Sequence, residues 1–104
     1  MITHVNEENF EKEVLKKENI VLVDFFATWC PPCKMVSAEL EKIEESRTDL
    51  DIVKVDIDDS QNLAIKYNVM YVPTLIVFKN GEVVKSETGY KSAEDILALI
   101  EENK

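Results

Sequence analysis

Along the chain the spacing of apolar residues changes period several times, and each change coincides with a boundary signal. Ile2 to Val5 reads as a short strand. Asn6 is a good N-cap type and predicts a helix to about Glu18, with Phe10, Val14 and Leu15 on its inner face. Ile20-Val21-Leu22-Val23-Asp24-Phe25-Phe26 is an apolar run broken by one carboxylate, the pattern of a central strand buried on both faces. Ala27-Thr28-Trp29 follows as a loop. A long helix then opens near Cys30 to Cys33 and ends near Arg47. Cys33, Val36, Leu40 and Ile43 recur at helical spacing, and Glu39, Glu41, Lys42, Glu44 and Glu45 form its wet side.

Asp51 to Ile57 alternates, with Val53, Val55 and Ile57 on one face, and is a strand. Ser60 is placed to cap a short helix to about Tyr67. After Pro73, Thr74 to Lys79 is another apolar strand. Asn80-Gly81 is a strong hairpin signal, so Glu82 to Ser86 returns antiparallel. Gly89 breaks the chain again. Ser92 with Asp95 three residues on resembles a capping box and opens a last helix through about Glu102. Ala93, Ile96, Leu97 and Ile100 form its buried stripe. The order β-α-β-α-β-α-β-β-α predicts an α/β fold: one mixed, five-stranded sheet with a parallel core, an antiparallel edge, and helices on both faces.

Composition narrows the function. With 104 residues the chain is one domain, 1–104, without room for a second core. Its formal net charge is −9, which repels phosphate and argues against a nucleic-acid or anionic-membrane partner. No stretch approaches the roughly 20 apolar residues that span a bilayer. Met1 to Glu8 has neither a basic start nor an apolar core, so no signal peptide is read there. A cytoplasmic protein is expected, although a processed mature chain would begin in the same way. The only two cysteines are Cys30 and Cys33, and the only histidine is the distant His4. That set does not make a disulfide framework or fill a four-ligand zinc site.

The chemistry is concentrated in Trp29-Cys30-Pro31-Pro32-Cys33-Lys34, which leaves a buried strand and enters a helix. Two cysteines at i and i+3 on such a turn are close enough to form a disulfide. Cys30 sits at the helix N-terminus, where free N–H groups and the macrodipole favour a thiolate. Cys33 is one turn further on, on the buried side. Cys30 is therefore expected to be the more exposed and more acidic attacking thiol, and Cys33 the resolving one. A packed structural pair, or half of a zinc site shared between subunits, is the alternative. Asp24 interrupts the central strand six residues before Cys30. Burial is expected to raise its pKa. It is either a proton acceptor or a hydrogen-bonded structural carboxylate. Pro32 removes an N–H from the first turn and leaves that of Cys33 as donor to the Cys30 sulfur. Pro31 precedes another proline, which disfavours the α region. It is therefore expected just outside the helix.

Val23 to Lys34 resembles the active-site segment of the thioredoxin family. Val72-Pro73-Thr74-Leu75 and Phe78-Lys79-Asn80-Gly81 resemble that family's cis-proline loop and hairpin. C-x-x-C near a β-α-β pattern is a long-recognised signature of that fold. The resemblance implies a thioredoxin fold and a thiol–disulfide oxidoreductase that reduces protein disulfides. Its catalytic residues would be Cys30, Cys33 and Asp24, the last taking the Cys33 proton. Lys54 would be a charge partner of Asp24, or else an ordinary snorkelling lysine. Pro73 would be cis beside the sulfurs, with the Val72 backbone pairing with substrate. Trp29 would cover the disulfide, Gly89 would allow close approach, and Met70 and Tyr71 would form an apolar rim. No cofactor is implied, because both electrons reside on the sulfurs. The partners would be disulfide-containing proteins and a flavoprotein of the thioredoxin-reductase type, and the chain would be a monomer. An oxidase or isomerase of the same fold, or a binding module without turnover, are the competing readings. The chain departs from the family pattern at Pro31-Pro32, where Gly-Pro is usual, and at Phe26, commonly Trp. Ala38 replaces a kinking proline, and Asn68 and Tyr71 stand where glycines are frequent.

Overall fold

The structure, a computed structural model, describes residues 2–104. The strands are β1 (Ile2–Val5), β2 (Ile20–Phe26), β3 (Asp51–Asp56), β4 (Thr74–Lys79) and β5 (Glu82–Thr88). The α-helices are α1 (Pro31–Ser46), α2 (Gln61–Lys66) and α3 (Ala93–Glu102). The sheet order is β1-β3-β2-β4-β5. β1, β3 and β2 run parallel, β4 is antiparallel to β2, and β5 is antiparallel to β4. The mixed five-stranded sheet is as expected, but its parallel core is confined to β1, β3 and β2: β4, which the alternation would have placed parallel to β2, runs antiparallel to it, so both hairpin strands form the antiparallel part.

β2 is central, and its alternation feeds two cores. Val21, Val23 and Phe25 pack on one face with Phe10, Val14, Leu63 and Phe78. Leu22 packs on the other with Val36, Leu40 and Ile43 of α1 and Ile96, Leu99 and Ile100 of α3. Asp24 alternates with Leu22, so it belongs to the face that α1 and α3 cover.

Several boundaries differ from the sequence expectation. The first helical segment is a short π-helix, Glu11–Leu15, not a helix to Glu18. Lys16 N–H donates to Glu11 O at 2.9 Å, and Asn19 turns left-handed at φ 68°. The N-cap of the π-helix is Phe10, without a side-chain cap bond; Asn6 instead closes the turn before it, its Oδ1 accepting from Glu8 and Asn9 N–H while Asn9 Oδ1 accepts from Asn6 N–H at 2.7 Å. Ser60 stands at the N-cap of α2 but makes no side-chain cap bond; its Oγ is buried without a partner among the described residues. β3 ends at Asp56, and β5 runs on to Thr88. The buried stripe of α3 is Ile96, Leu99 and Ile100, with Leu97 only partly buried. Leu99, not Leu97, is the leucine buried in the core that α1 and α3 share. Ser92 caps α3 as expected, accepting from Asp95 N–H at 3.2 Å. Glu39 is not on the wet side of α1. It accepts from Ala93 N–H at 2.8 Å, which sets a carboxylate at the positive end of α3.

The hairpin is held to the end of the π-helix. Asn80 (φ 51°) and Gly81 (φ 81°) are both left-handed, as a type I′ turn requires. Asn80 N–H donates to Asn19 O at 3.0 Å, and Asn19 N–H donates to Asn80 Oδ1 at 2.8 Å. A Cβ on Gly81 would run into the Leu15 carbonyl oxygen. Gly81→Ala should therefore destabilise the fold by about 1–3 kcal/mol, from strained φ and steric clash together. An unchanged denaturation midpoint would show that the Leu15 carbonyl yields freely.

Candidate active site

The last residue of β2 leads into a tight turn in which Cys30 N–H donates to Ala27 O at 3.3 Å. That turn delivers Cys30 to the N-cap of α1, in extended conformation (φ −100°, ψ 108°). Cys30 and Cys33 form a disulfide, with Cα atoms 5.3 Å apart. Cys33 N–H donates to Cys30 Sγ at 3.2 Å, the bond expected once the prolines had removed its competitors. Two sequence expectations fail here. Pro31 is not outside the helix; α1 begins with it. At the first helical position an N–H would go unpaired anyway, so a proline is tolerated there; the restriction Pro31 itself imposes falls on Cys30, which an N-cap holds extended, and that of Pro32 on Pro31 does not keep the helix from starting. Nor is Cys30 appreciably more exposed than Cys33 in the disulfide form: the two are 3% and 2% exposed. Ala27 and the partly buried Phe26, Ile57 and Val72 pack around both.

A second loop meets the sulfurs from β4. The Val72–Pro73 bond is cis. Val72 O lies 3.7 Å from Cys30 Sγ. Thr74, which the sequence reading did not single out, donates its hydroxyl to Tyr71 O at 2.6 Å and closes the loop over itself. Gly89 N–H donates to Pro73 O at 2.8 Å. Gly89 has φ 101° and open space where a side chain would project. Trp29 is no core tryptophan. It is 65% exposed, and its Nε1–H donates to Asp58 Oδ2 at 2.9 Å. Met70 and Tyr71 are similarly exposed. Nothing in the sequence marked Asp58 as the partner of Trp29, because the bond joins two separate loops.

Asp24 is fully buried, and neither carboxylate oxygen has a hydrogen-bond partner among the described residues. No protein group among the described residues satisfies the carboxylate. Desolvation pushes its pKa from 3.8 up to about 7, against a smaller lowering by the Lys54 charge. Lys54 is the register partner of Asp24 on β3. Its ammonium nevertheless donates to Ser37 Oγ and lies 4.6 Å from the Phe26 ring centroid. Ser37 also went unnoticed in the sequence, although it follows Cys33 by one helical turn. Phe26, Ala27, Thr28, Cys33, Lys34, Ser37 and Lys54 line a pocket of about 270 Å³ beside the disulfide. Among the described residues no group of three or more His, Cys, Asp or Glu side chains is placed to hold a metal, and no helix is long and apolar enough to cross a membrane.

A disulfide closed across the first turn of a helix, at the end of a central strand and beneath a cis-proline loop, defines a dithiol–disulfide oxidoreductase. The redox centre is part of the chain itself. Comparison with known proteins agrees. The thioredoxin family model matches residues 1–102. The thioredoxin of Bacillus subtilis (strain 168) is 43% identical over 100 residues, covering 95% of this chain and 94% of that one. Those of Streptomyces clavuligerus (44% over 97 residues; 93% and 91% covered) and Listeria monocytogenes (42% over 101; 96% and 96%) are similar. The chain belongs to the thioredoxin family, and it is a protein-disulfide reductase.

The folded-state pKa of Asp24 lies above the unfolded one, so the native protein holds the proton more tightly. This contribution is fully present below 3.8 and is lost as pH rises through about 7. The difference corresponds to on the order of 4 kcal/mol. Asp24→Asn should therefore raise the denaturation midpoint at neutral pH and flatten the fall in stability across that window. A lower midpoint in the mutant would mean that the carboxylate is a stabilising anion.

Proposed function

We propose that residues 1–104 act as one domain in which Cys30 is the nucleophile, Cys33 the resolving thiol and Asp24 the proton acceptor. The observation that carries this reading is the hydrogen bond from Cys33 N–H to Cys30 Sγ at the N-terminus of α1, which stabilises negative charge on that sulfur. The Cys30 thiolate attacks a substrate disulfide. One substrate sulfur leaves as a thiolate, and the other stays joined to Cys30. Cys33 then loses its proton to the Asp24 carboxylate, through water in the adjoining pocket, and attacks Cys30 Sγ. The second substrate sulfur leaves, the Cys30–Cys33 disulfide forms, and two electrons have passed to the substrate. A thioredoxin reductase resets the pair, and no bound cofactor takes part in the exchange.

Substrate recognition is assigned to Trp29, Tyr71, Val72, Pro73 and Gly89. Support comes from the exposure of Trp29 and Tyr71, the nearness of the Val72 carbonyl to Cys30, and the open space above Gly89. An extended substrate would pair with the Val72 backbone as an added strand. Pro31, Pro32 and Lys54 are supporting residues. We assign the protein to the cytoplasm as a monomer, with disulfide-containing proteins rather than nucleic acid or membranes as partners. Its charge of −9 supports the exclusion of polyanions.

Insulin reduction tests the roles. Cys30→Ser should abolish turnover, and Cys33→Ser should accumulate the mixed disulfide. Alkylation of the reduced protein near neutral pH should label Cys30 first. Turnover by Cys30→Ser, or prior labelling of Cys33, would reverse the assignment.

The two prolines leave Cys33 as the first residue of α1 able to donate an N–H. A glycine at position 31 restores an N–H to the first turn, so Pro31→Gly should lower the Cys30 pKa and make the pair more oxidising. A glycine variant that is more reducing than the parent would mean that stiffening of the loop by Pro31 outweighs the missing N–H.

A further inference from the structure

A lysine beside a buried, unpartnered carboxylate ordinarily closes onto it. Lys54 does not. It sits opposite Asp24 in the β2–β3 register, yet neither Asp24 oxygen has a hydrogen-bond partner among the described residues. The Lys54 ammonium is turned toward α1, where it donates to Ser37 Oγ beside the Phe26 ring. Ser37 lies four residues after Cys33, so the two share a helix face. Cys33, Ser37, Lys54 and Phe26 line one pocket.

Few other charges bear on Asp24. β3 contributes Lys54. α1 contributes Cys33 on its buried side and the exposed Lys34 at the pocket rim. β4 places Leu75 opposite Asp24, and α3 packs on this face through Ile96, Leu99 and Ile100, none of which titrates. The position of the Lys54 ammonium is therefore the main electrostatic variable at the carboxylate.

We propose that Ser37 is a positioning residue: its hydroxyl holds the Lys54 ammonium against the pocket wall beside Phe26 and away from Asp24, leaving the carboxylate unpaired. This rests on the reading of Asp24 as proton acceptor only for its kinetic consequence. An opposite charge within about 4–6 Å lowers a carboxyl pKa by about 1–3 units. A released Lys54 would therefore return Asp24 toward the ordinary carboxylate range, and Asp24 would be a weaker acceptor for the Cys33 proton. With Ser37 in place, the lysine stays near enough to temper the effect of burial but too far to cancel it.

The test follows Asp24 directly, by carboxyl carbon NMR titration of the oxidised and reduced protein. Ser37→Ala should lower the Asp24 midpoint by about one unit or more. Ser37→Thr keeps the hydroxyl and should leave the midpoint where it is. In a Lys54→Met background, Ser37→Ala should have no effect. An unchanged midpoint in Ser37→Ala overturns the proposal, as does an equal shift in the Lys54→Met background. The pH profile of mixed-disulfide resolution is read in the same variants. A midpoint that falls while that profile stays put supports the positioning role of Ser37 and refutes Asp24 as the acceptor, so the two readings fail separately.

Discussion

Strand β2 has to be buried on both faces, and the site follows from how that is achieved. Parallel β3 occupies one edge and antiparallel β4 the other. Each face carries its own apolar core. The chain leaves this environment only at the strand end, through the turn closed by Cys30 N–H and Ala27 O. The helix that follows must lay Val36, Leu40 and Ile43 on the same face as Leu22. Its first turn is thereby held at the end of β2, with Cys30 capping it and Cys33 on the buried stripe. The position of the disulfide is a result of packing one helix on one strand.

The same burial sets stability against reactivity. A carboxylate without hydrogen bonds is costly in a low-dielectric interior, and Asp24 lies fully buried on the central strand with no partner among the described residues. What makes it costly also moves its titration to neutral pH, where a group exchanges protons in both directions. An ion pair would relieve the cost and return the carboxyl toward its ordinary range. The Lys54 ammonium is held on Ser37 and Phe26 instead. Around the sulfurs the polar groups are better satisfied: Gly89 N–H on Pro73 O and the Thr74 hydroxyl on Tyr71 O keep the opposing loop in shape.

Features written in short stretches of sequence were legible without a structure. The apolar run with one carboxylate, Asn80-Gly81, the Ser92 cap and the i, i+3 cysteines at a strand-to-helix turn each depend on neighbours within a few residues. The misreadings share a different origin. Glu39 looked like a solvent residue because its partner, Ala93 N–H, belongs to another helix. Leu97 was placed on the buried stripe by spacing, but the tertiary core takes in Leu99 and leaves Leu97 partly buried. The local preference of a residue before proline pointed Pro31 out of the helix, but α1 begins with it, capped by Cys30.

The sequence by itself determined the order of elements, the mixed sheet, the redox pair and the direction of the Asp24 shift, because periodicity, turn chemistry and burial of a lone carboxylate act locally. Tertiary structure alone decided which groups face one another across elements. It brought Val72 O beside Cys30, paired Asp58 with the Trp29 indole N–H, and gave Lys54 to Ser37 when Asp24 was its register partner. Those pairings join residues far apart in the chain. Their energies depend on distances of a few ångströms, which the packing of β2, α1 and the Val72–Pro73 loop sets and no local pattern encodes.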